Sequence, residues 1–242
     1  MSLRIAVDLD GTLADMDAAL QEEAERLFGR GVDLRASLRA RAEGIAGSES
    51  PDPTAASPGM RTPLPAPGAG TRLSDRQQRQ LWARVRQIEN FWESLREIEP
   101  GTVARIAQAA AERAWEVLFI TTRPASAGNT TQLQSQRWLQ AHGYHLPSVF
   151  VVAGSRGRLA TALTLDVVID DRPENCLDVA TDSRARSILV WRDTPETAPP
   201  GAQRLGIEVV YSVAEALEQL DAPAEPARPP GLLKRLKGAL GA

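Results

Sequence analysis

The segment Val7-Asp8-Leu9-Asp10-Gly11-Thr12-Leu13 is the strongest single indication of the fold of this 242-residue chain. It continues the apolar run at residues 3–7, which is typical of a buried strand in a parallel sheet. Asp8 and Asp10 are two residues apart, so their side chains point the same way while the backbone is extended, and Gly11 then permits a sharp turn. The alternative for a bare Asp-x-Asp is a turn that caps the next helix.

Further apolar runs alternate with helical patterns along the rest of the chain. The runs predict strands at 115–120, 149–152, 167–169 and 187–191, with a weaker edge strand at 207–211. Periodic apolar residues predict helices at 18–28, 74–95, 102–113, 131–142, 158–163, 174–181 and 213–220. This alternation predicts an α/β fold, a Rossmann-like parallel sheet flanked by helices.

About 100 residues separate the first two predicted strands of the sheet. A parallel crossover needs only about a dozen. We therefore predict a core domain formed by 1–14 and 99–221, with a helical cap inserted at 15–98. Six prolines between Pro51 and Pro67 predict a mobile loop at 47–71, and a second Pro-rich stretch makes 222–242 a linker and tail.

Polar residues follow the other predicted strands at the point where each strand ends. The carboxyl ends of parallel strands meet at one edge of a sheet, where ligands of open α/β folds bind. We expect these side chains to converge with Asp8 and Asp10. Clustered carboxylates favour a cation, and an all-oxygen donor set suits Mg²⁺. The residues concerned are Thr121 and Thr122, Arg156 and Arg158, and Asp170 and Asp171.

These motifs resemble those of the haloacid dehalogenase (HAD) superfamily of phosphohydrolases, whose first motif is Asp-x-Asp-Gly-Thr. The resemblance implies that Asp8 is a nucleophile forming an aspartyl-phosphate and that Asp10 is the general acid and base. It also implies that Thr121, with Thr122 beside it, binds the phosphoryl oxygens. A HAD-like core wrapped around a C1-type cap is the fold it implies.

The same resemblance implies Mg²⁺ held by the Asp8 carboxylate, the Asp10 main-chain carbonyl and Asp170 or Asp171. The family usually has a lysine in its third motif. This chain has only two lysines, both within its last ten residues, so an arginine is expected to replace it. Arg156 is the predicted substitute, with Arg158 as the alternative.

The segment at 89–95, followed by 98–101, resembles the 5′(3′)-deoxyribonucleotidase branch of that superfamily. That resemblance implies a nucleoside monophosphate substrate, with Phe91, Trp92 and Trp82 either facing a nucleobase or forming the cap's own core. The alternatives are a phosphatase of sugar phosphates or other small metabolites such as phosphoglycolate, and a catalytically weak HAD module that binds a partner through its C-terminal helix.

Composition excludes several classes of partner. A net charge of −3 without a basic patch argues against a nucleic-acid polymer, and no apolar run has the roughly 18 residues of a membrane span. The single cysteine, Cys176, cannot form an internal disulfide, and the N-terminus lacks a signal-peptide pattern, so the expected location is cytoplasmic.

The basic amphipathic segment 231–242 is either an unstructured tail, a docking helix for a protein partner, or a weak membrane contact.

Overall fold

The computed structural model describes residues 2–34 and 71–221. The loop predicted at 47–71 lies outside the described residues apart from Thr71, and so do the linker and tail predicted at 222–242. No helix within the two described ranges is long and apolar enough to cross a bilayer.

The main sheet has six parallel strands, which are in order across the sheet β5 (Ser148–Val151), β4 (Glu116–Thr121), β1 (Arg4–Asp8), β6 (Val167–Asp170), β7 (Arg186–Val190) and β8 (Ile207–Val210). The predicted α/β architecture with a parallel sheet is therefore confirmed, and the weak run near residue 207 is indeed the edge strand. Two short strands, β2 (Val32–Asp33) and β3 (Thr71–Arg72), form a separate parallel pair.

The register of the central strands brings their carboxyl ends level. Val7 of β1 pairs with Phe119 of β4 on one side and with Ile169 of β6 on the other. Asp8 is therefore level with Asp170, the last residue of β6. The strands are buried on both faces, with Val7, Phe119 and Ile169 at most 1% exposed, which explains their continuous apolar character.

Seven helices are described. They are α1 (Met16–Phe28), α2 (Asp75–Gln87), α3 (Thr102–Arg113), α4 (Thr131–Ala141), α5 (Arg156–Ala162), α6 (Pro173–Asp182) and α7 (Val213–Asp221). Short 3-10 turns occupy Phe91–Glu93, Pro195–Thr197 and Gln203–Leu205. Ser74 and Gln77 form a reciprocal capping box at the start of α2. Ser212 caps α7, because its hydroxyl accepts the Glu215 N–H at 3.0 Å.

The helix predicted at 74–95 is too long, because α2 ends at Gln87. Ile88 is extended and Asn90 has a φ of 51°, a left-handed conformation that turns the chain away from the helix axis. Trp92 therefore does not continue the apolar face of α2. Its main-chain N–H donates to Gln134 Oε1 at 3.1 Å, so it packs on α4 instead.

The chain divides into two compact units, and the boundary differs from the predicted one. In described residues, one unit comprises 2–16 and 89–221, and the other comprises 17–34 and 71–88. Residues 89–98, predicted to belong to the insertion, thus lie in the unit of the sheet. The reason is a set of backbone hydrogen bonds: Asp15 N–H donates to Arg96 O at 2.8 Å, and Ile98 N–H donates to Leu13 O at 2.9 Å.

Candidate active site

The carboxylates predicted from the strand ends lie at one edge of the sheet. Asp8 is the last residue of β1 and is 7% exposed, while Asp170, the last residue of β6, is fully buried. Asp10 lies two residues after Asp8, and Asp171 directly follows Asp170. Each strand is held by neighbours on both sides, so the side chains at its end are carried on a rigid frame.

Arg156 reaches two of these carboxylates. Its Nη2 donates to Asp8 Oδ1 at 3.0 Å, and its Nε lies 3.6 Å from Asp170 Oδ2. The side chain is 3% exposed, yet Nε and Nη1 have no hydrogen-bond partner among the described residues. Arg158, the alternative, is exposed. Of the two arginines, it is therefore Arg156 that the structure brings to Asp8.

The start of α5 is fixed so that Arg156 faces the sheet edge. Ser155 caps the helix by accepting the Arg158 N–H at 3.0 Å. Gly157 lies so close to α6 that an added Cβ would be 2.2 Å from Asp178 O, and its N–H donates to Asp178 Oδ2 at 3.0 Å. The close packing of α5 on α6 therefore requires glycine directly after Arg156.

Asp170 is oriented by donors from the start of α6. Its Oδ1 accepts the Arg172 N–H at 2.9 Å, and the Asn175 side-chain amide donates to both carboxylate oxygens at 2.9 and 3.1 Å. Such bonds fix the plane of the carboxylate. Asn175 was not predicted as a site residue, although it follows the acid pair by only a few positions.

Asp10 is held by a second arginine, which lies two residues after β4. Arg123 donates to both oxygens of Asp10, with Nε at 2.9 Å from each and Nη2 at 2.7 Å from Oδ1. Thr121 Oγ1 donates to Asp10 Oδ2 at 3.1 Å. Thr121 thus contacts Asp10, the predicted general acid and base, whereas Thr122 is exposed.

Gly11 and Thr12 bring the first loop against Asp171. Thr12 Oγ1 lies 3.4 Å from Asp171 Oδ1, and Gly11 has a φ of 86°. A Cβ at Gly11 would be 2.1 Å from Asp171 Oδ2. The glycine of the first motif is therefore required both by its backbone conformation and by the approach of this carboxylate.

Arg192, which follows β7, ties this loop to the rest of the sheet unit. Its Nε and Nη2 donate to the carbonyls of Gly11 and Thr12 at 3.3 and 2.6 Å, and its Nη1 is paired with Glu99. Glu99 also accepts the N–H of Val213 at 3.0 Å. No sequence signal marked Arg192, because its partners lie more than 90 positions away.

Burial raises the pKa values of Asp8, Asp170 and Asp171, and neighbouring carboxylates add to the rise for Asp8 and Asp171. Burial is the main cause that raises the pKa of Asp8 well above its ordinary value, followed by Asp170, Asp171 and Asp10, while Arg156 opposes the rise. Burial also raises the pKa of Asp170, against the hydrogen bonds from Arg172 and Asn175. For Asp171, burial and then Asp170 raise the pKa to about 7. The site is thus short of positive charge.

This donor set fits Mg²⁺. Within residues 2–34 and 71–221, no three His, Cys, Asp or Glu side chains form a ready-made metal cage. Mg²⁺ usually takes only one or two carboxylates, keeps several waters and binds substrate phosphate. Asp8 with Asp170 or Asp171 supplies hard oxygen ligands of that kind, and their raised pKa values are what a bound cation would offset.

A six-stranded parallel sheet flanked by helices is a Rossmann-like α/β fold, and two solved structures are similar to this chain over most of its length. A provisionally named β-phosphoglucomutase from Thermotoga maritima matches with a TM-score of 0.53 at 18% identity, over 92% of this chain and 100% of that chain. A hydrolase from Pseudomonas syringae matches with a TM-score of 0.50 at 16% identity, over 93% of this chain and all of that one.

At such identities the match shows a shared fold. No family model matches the sequence, and no curated protein matches it. Neither of the two solved structures is named as a deoxyribonucleotidase, so the resemblance to that branch remains a prediction.

Proposed function

We propose that the protein is a Mg²⁺-dependent phosphatase of small phosphomonoesters that forms an aspartyl-phosphate on Asp8. The observation that carries the proposal is the pairing of buried Asp8 with Arg156 at 3.0 Å. Arg156 has two further buried donor atoms without a partner among the described residues. Buried donors are normally satisfied, and a phosphoryl group supplies the acceptors they lack.

In the first half of the reaction, a carboxylate oxygen of Asp8 attacks phosphorus and the ester P–O bond breaks. The leaving oxygen takes a proton from Asp10, so the alcohol departs neutral. Arg156 would contact the transferring group, because its fork already touches the nucleophile. Splitting hydrolysis in this way replaces one difficult step by two easier ones.

In the second half, a water oxygen attacks the phosphorus of the aspartyl-phosphate. The bond between phosphorus and the Asp8 oxygen breaks, Asp8 leaves as a carboxylate, and Asp10 accepts the proton of the water. Inorganic phosphate is the product. Thr121 and Arg123 hold Asp10 at 3.1 and 2.7 Å, so this proton acceptor is already oriented.

We propose that Mg²⁺ is held by Asp8, the Asp10 main-chain carbonyl and Asp170 or Asp171. When bound, the ion would neutralise the charge of the phosphate and of the carboxylates around it. Asp170 is oriented for such a role by Arg172 and Asn175.

We propose phosphorylated sugars as the first substrate class to test. Phe91 and Trp92, which could have stacked on a nucleobase, are 3% and 0% exposed. Trp92 Nε1 is also used in a hydrogen bond to Pro124 O at 2.9 Å. Both rings form part of the core of the sheet unit, which removes one support for the nucleotidase prediction. A sugar-phosphate substrate is also consistent with the name of the Thermotoga maritima structure.

The test is release of phosphate from an aryl phosphate, and then from a panel of sugar phosphates and nucleoside monophosphates, with and without Mg²⁺. We expect Mg²⁺-dependent turnover that falls by about 10³-fold or more in Asp8→Asn. Asp182→Asn, an exposed aspartate at the end of α6, is the matched control and should keep full activity. A wild-type protein that turns over no phosphoester with Mg²⁺ would favour the binding-module alternative.

A further inference from the structure

The Arg123 side chain is fully buried, and among the residues that the structure describes its charge is paired with one carboxylate. Its side chain is 0% exposed, and the carboxylate paired with it is Asp10. Its Nη1 donates to the hydroxyl of Ser135 at 3.0 Å. A buried guanidinium is costly unless it is paired and hydrogen-bonded, and Asp10 and Ser135 supply these partners to Arg123.

Two tryptophan rings flank the guanidinium. Its carbon lies 5.1 Å from the Trp92 ring centroid and 5.9 Å from that of Trp138. Both distances are within the range of cation–π attraction. These contacts leave the guanidinium little freedom to change its direction.

Both rings are themselves anchored. Trp92 Nε1 donates to Pro124 O at 2.9 Å, and Trp138 Nε1 donates to Leu95 O at 2.7 Å. Both residues are at most 1% exposed. The main-chain N–H of Trp92 is bonded to Gln134, which is fully buried. The 3-10 turn Phe91–Glu93, the helix α4 and the loop after β4 therefore form one rigid support around Arg123.

We infer that Arg123 is a positioning residue that holds Asp10 as the proton acceptor for hydrolysis of the aspartyl-phosphate. Its bidentate contact fixes the plane of the Asp10 carboxylate, and a fixed plane sets the direction from which the carboxylate accepts the proton of the attacking water. In the affected step, water attacks phosphorus, the bond to Asp8 breaks, and the water proton passes to Asp10. The inference rests on the proposed phosphatase function.

The experiment compares Arg123→Lys with the wild type, using an aryl phosphate whose phenolate leaves without protonation. Lysine keeps the charge and the space between the rings but lacks the fork. We expect the second step to slow, so kcat and KM fall together by about tenfold, while kcat/KM stays within about threefold. A rapid burst of phenolate approaching one per enzyme should precede steady turnover, because the aspartyl-phosphate accumulates.

Two further proteins separate positioning from a structural role. Arg137→Lys changes an exposed arginine of α4 and should show neither the coupled fall nor the larger burst. In an Asp10→Asn background, Arg123→Lys should add less than about twofold, because the residue through which it acts is gone.

Several outcomes would overturn the inference. One is an unchanged kcat in Arg123→Lys. Another is a decrease in kcat/KM alone, without a burst of phenolate. The third is a decrease in kcat on adding Arg123→Lys to the Asp10→Asn variant that is as large as the decrease in the wild type. If Arg123→Lys does not fold, Ser135→Ala decides: a coupled fall of kcat and KM of about threefold supports the inference, and unchanged kcat overturns it. A wild type without any phosphatase activity would overturn the proposed function, and this inference with it.

Discussion

Arg156 lies between the carboxylates of two neighbouring strands, with Nη2 3.0 Å from Asp8 Oδ1 and Nε 3.6 Å from Asp170 Oδ2. One buried cation thus offsets part of the charge of both acids. Removing it would leave two buried carboxylates side by side with less compensation. Its position at the first turn of α5 depends on Ser155 and Gly157, which fix the helix start.

Replacing Arg156 should therefore lower activity strongly. We expect Arg156→Ala to reduce kcat/KM by about 10²-fold or more, because a buried donor next to the reacting group is lost. Arg156→Lys should recover part of the loss by restoring the charge without the fork. Arg158→Ala, two residues away and exposed, is the control and should keep kcat/KM within about twofold. Equal losses in the two alanine variants, measured with the same aryl phosphate, would contradict the assignment.

The stability of the metal-free protein should depend on the protonation of Asp171. Its pKa rises from 3.8 to about 7 on folding, so the folded state favours the protonated form. The resulting stabilisation is complete below about pH 4 and is lost as the pH rises through about 7. The Asp171→Asn variant lacks this dependence, and its advantage in Tm over the wild type should grow from pH 4 to pH 8 in EDTA.

The same comparison of Tm between the wild type and Asp171→Asn can be made in the presence of Mg²⁺. If the ion binds among these carboxylates, adding it at pH 8 should raise the Tm of the wild type more than that of Asp171→Asn. A difference in Tm between the two proteins that stays constant with pH in EDTA would show that Asp171 does not titrate as described.

Gly11→Ala should damage both stability and activity. The new Cβ would lie 2.1 Å from Asp171 Oδ2, so the carboxylate or the loop must move. Gly29→Ala is a matched control, because Gly29 has the same φ of 86° but nothing within 4 Å of an added Cβ. The control should lose about 1–2 kcal/mol of unfolding free energy from its backbone conformation alone. Gly11→Ala should lose more than this in urea titrations, and its kcat should fall while that of Gly29→Ala does not.

Arg192→Gln should lower the activity through the first loop. Arg192 contacts the carbonyls of Gly11 and Thr12 and is paired with Glu99, so its loss frees the loop that carries Asp10. We expect a reduction of about tenfold in kcat. The control is Arg186→Gln, which breaks an exposed pair with Glu208 and should cost at most about 1 kcal/mol of stability with no change in kcat. Equal kcat values for the two variants would rule out a role of Arg192 in holding the loop.

The sequence predicted the sheet and its acids because both depend on local signals. Apolar runs buried on both faces mark the strands, and Asp8 and Asp170 follow directly from where those runs end. Arg123 lies two residues after β4, but no local signal shows that it pairs with Asp10, 113 positions away. That pairing depends on the register of β1 and β4.

Two sequence expectations failed for a different reason. The apolar spacing of α2 continues numerically to Trp92, but Asn90 adopts a left-handed conformation that ends the helical course. A spacing pattern contains no information on that backbone change. Residues 89–98 consequently belong to the unit of the sheet, where Trp92 supports Arg123.

Identification of the covalent intermediate is the most direct test of the central claim. The protein is mixed with an aryl phosphate and Mg²⁺, quenched in acid within the burst, digested and analysed by mass spectrometry. Arg123→Lys, in which the intermediate should accumulate, is run beside the wild type. The account predicts one phosphoryl group on the peptide that contains Asp8, absent in Asp8→Asn. An active protein that carries its phosphoryl group on another residue, or that turns over in Asp8→Asn, would contradict it.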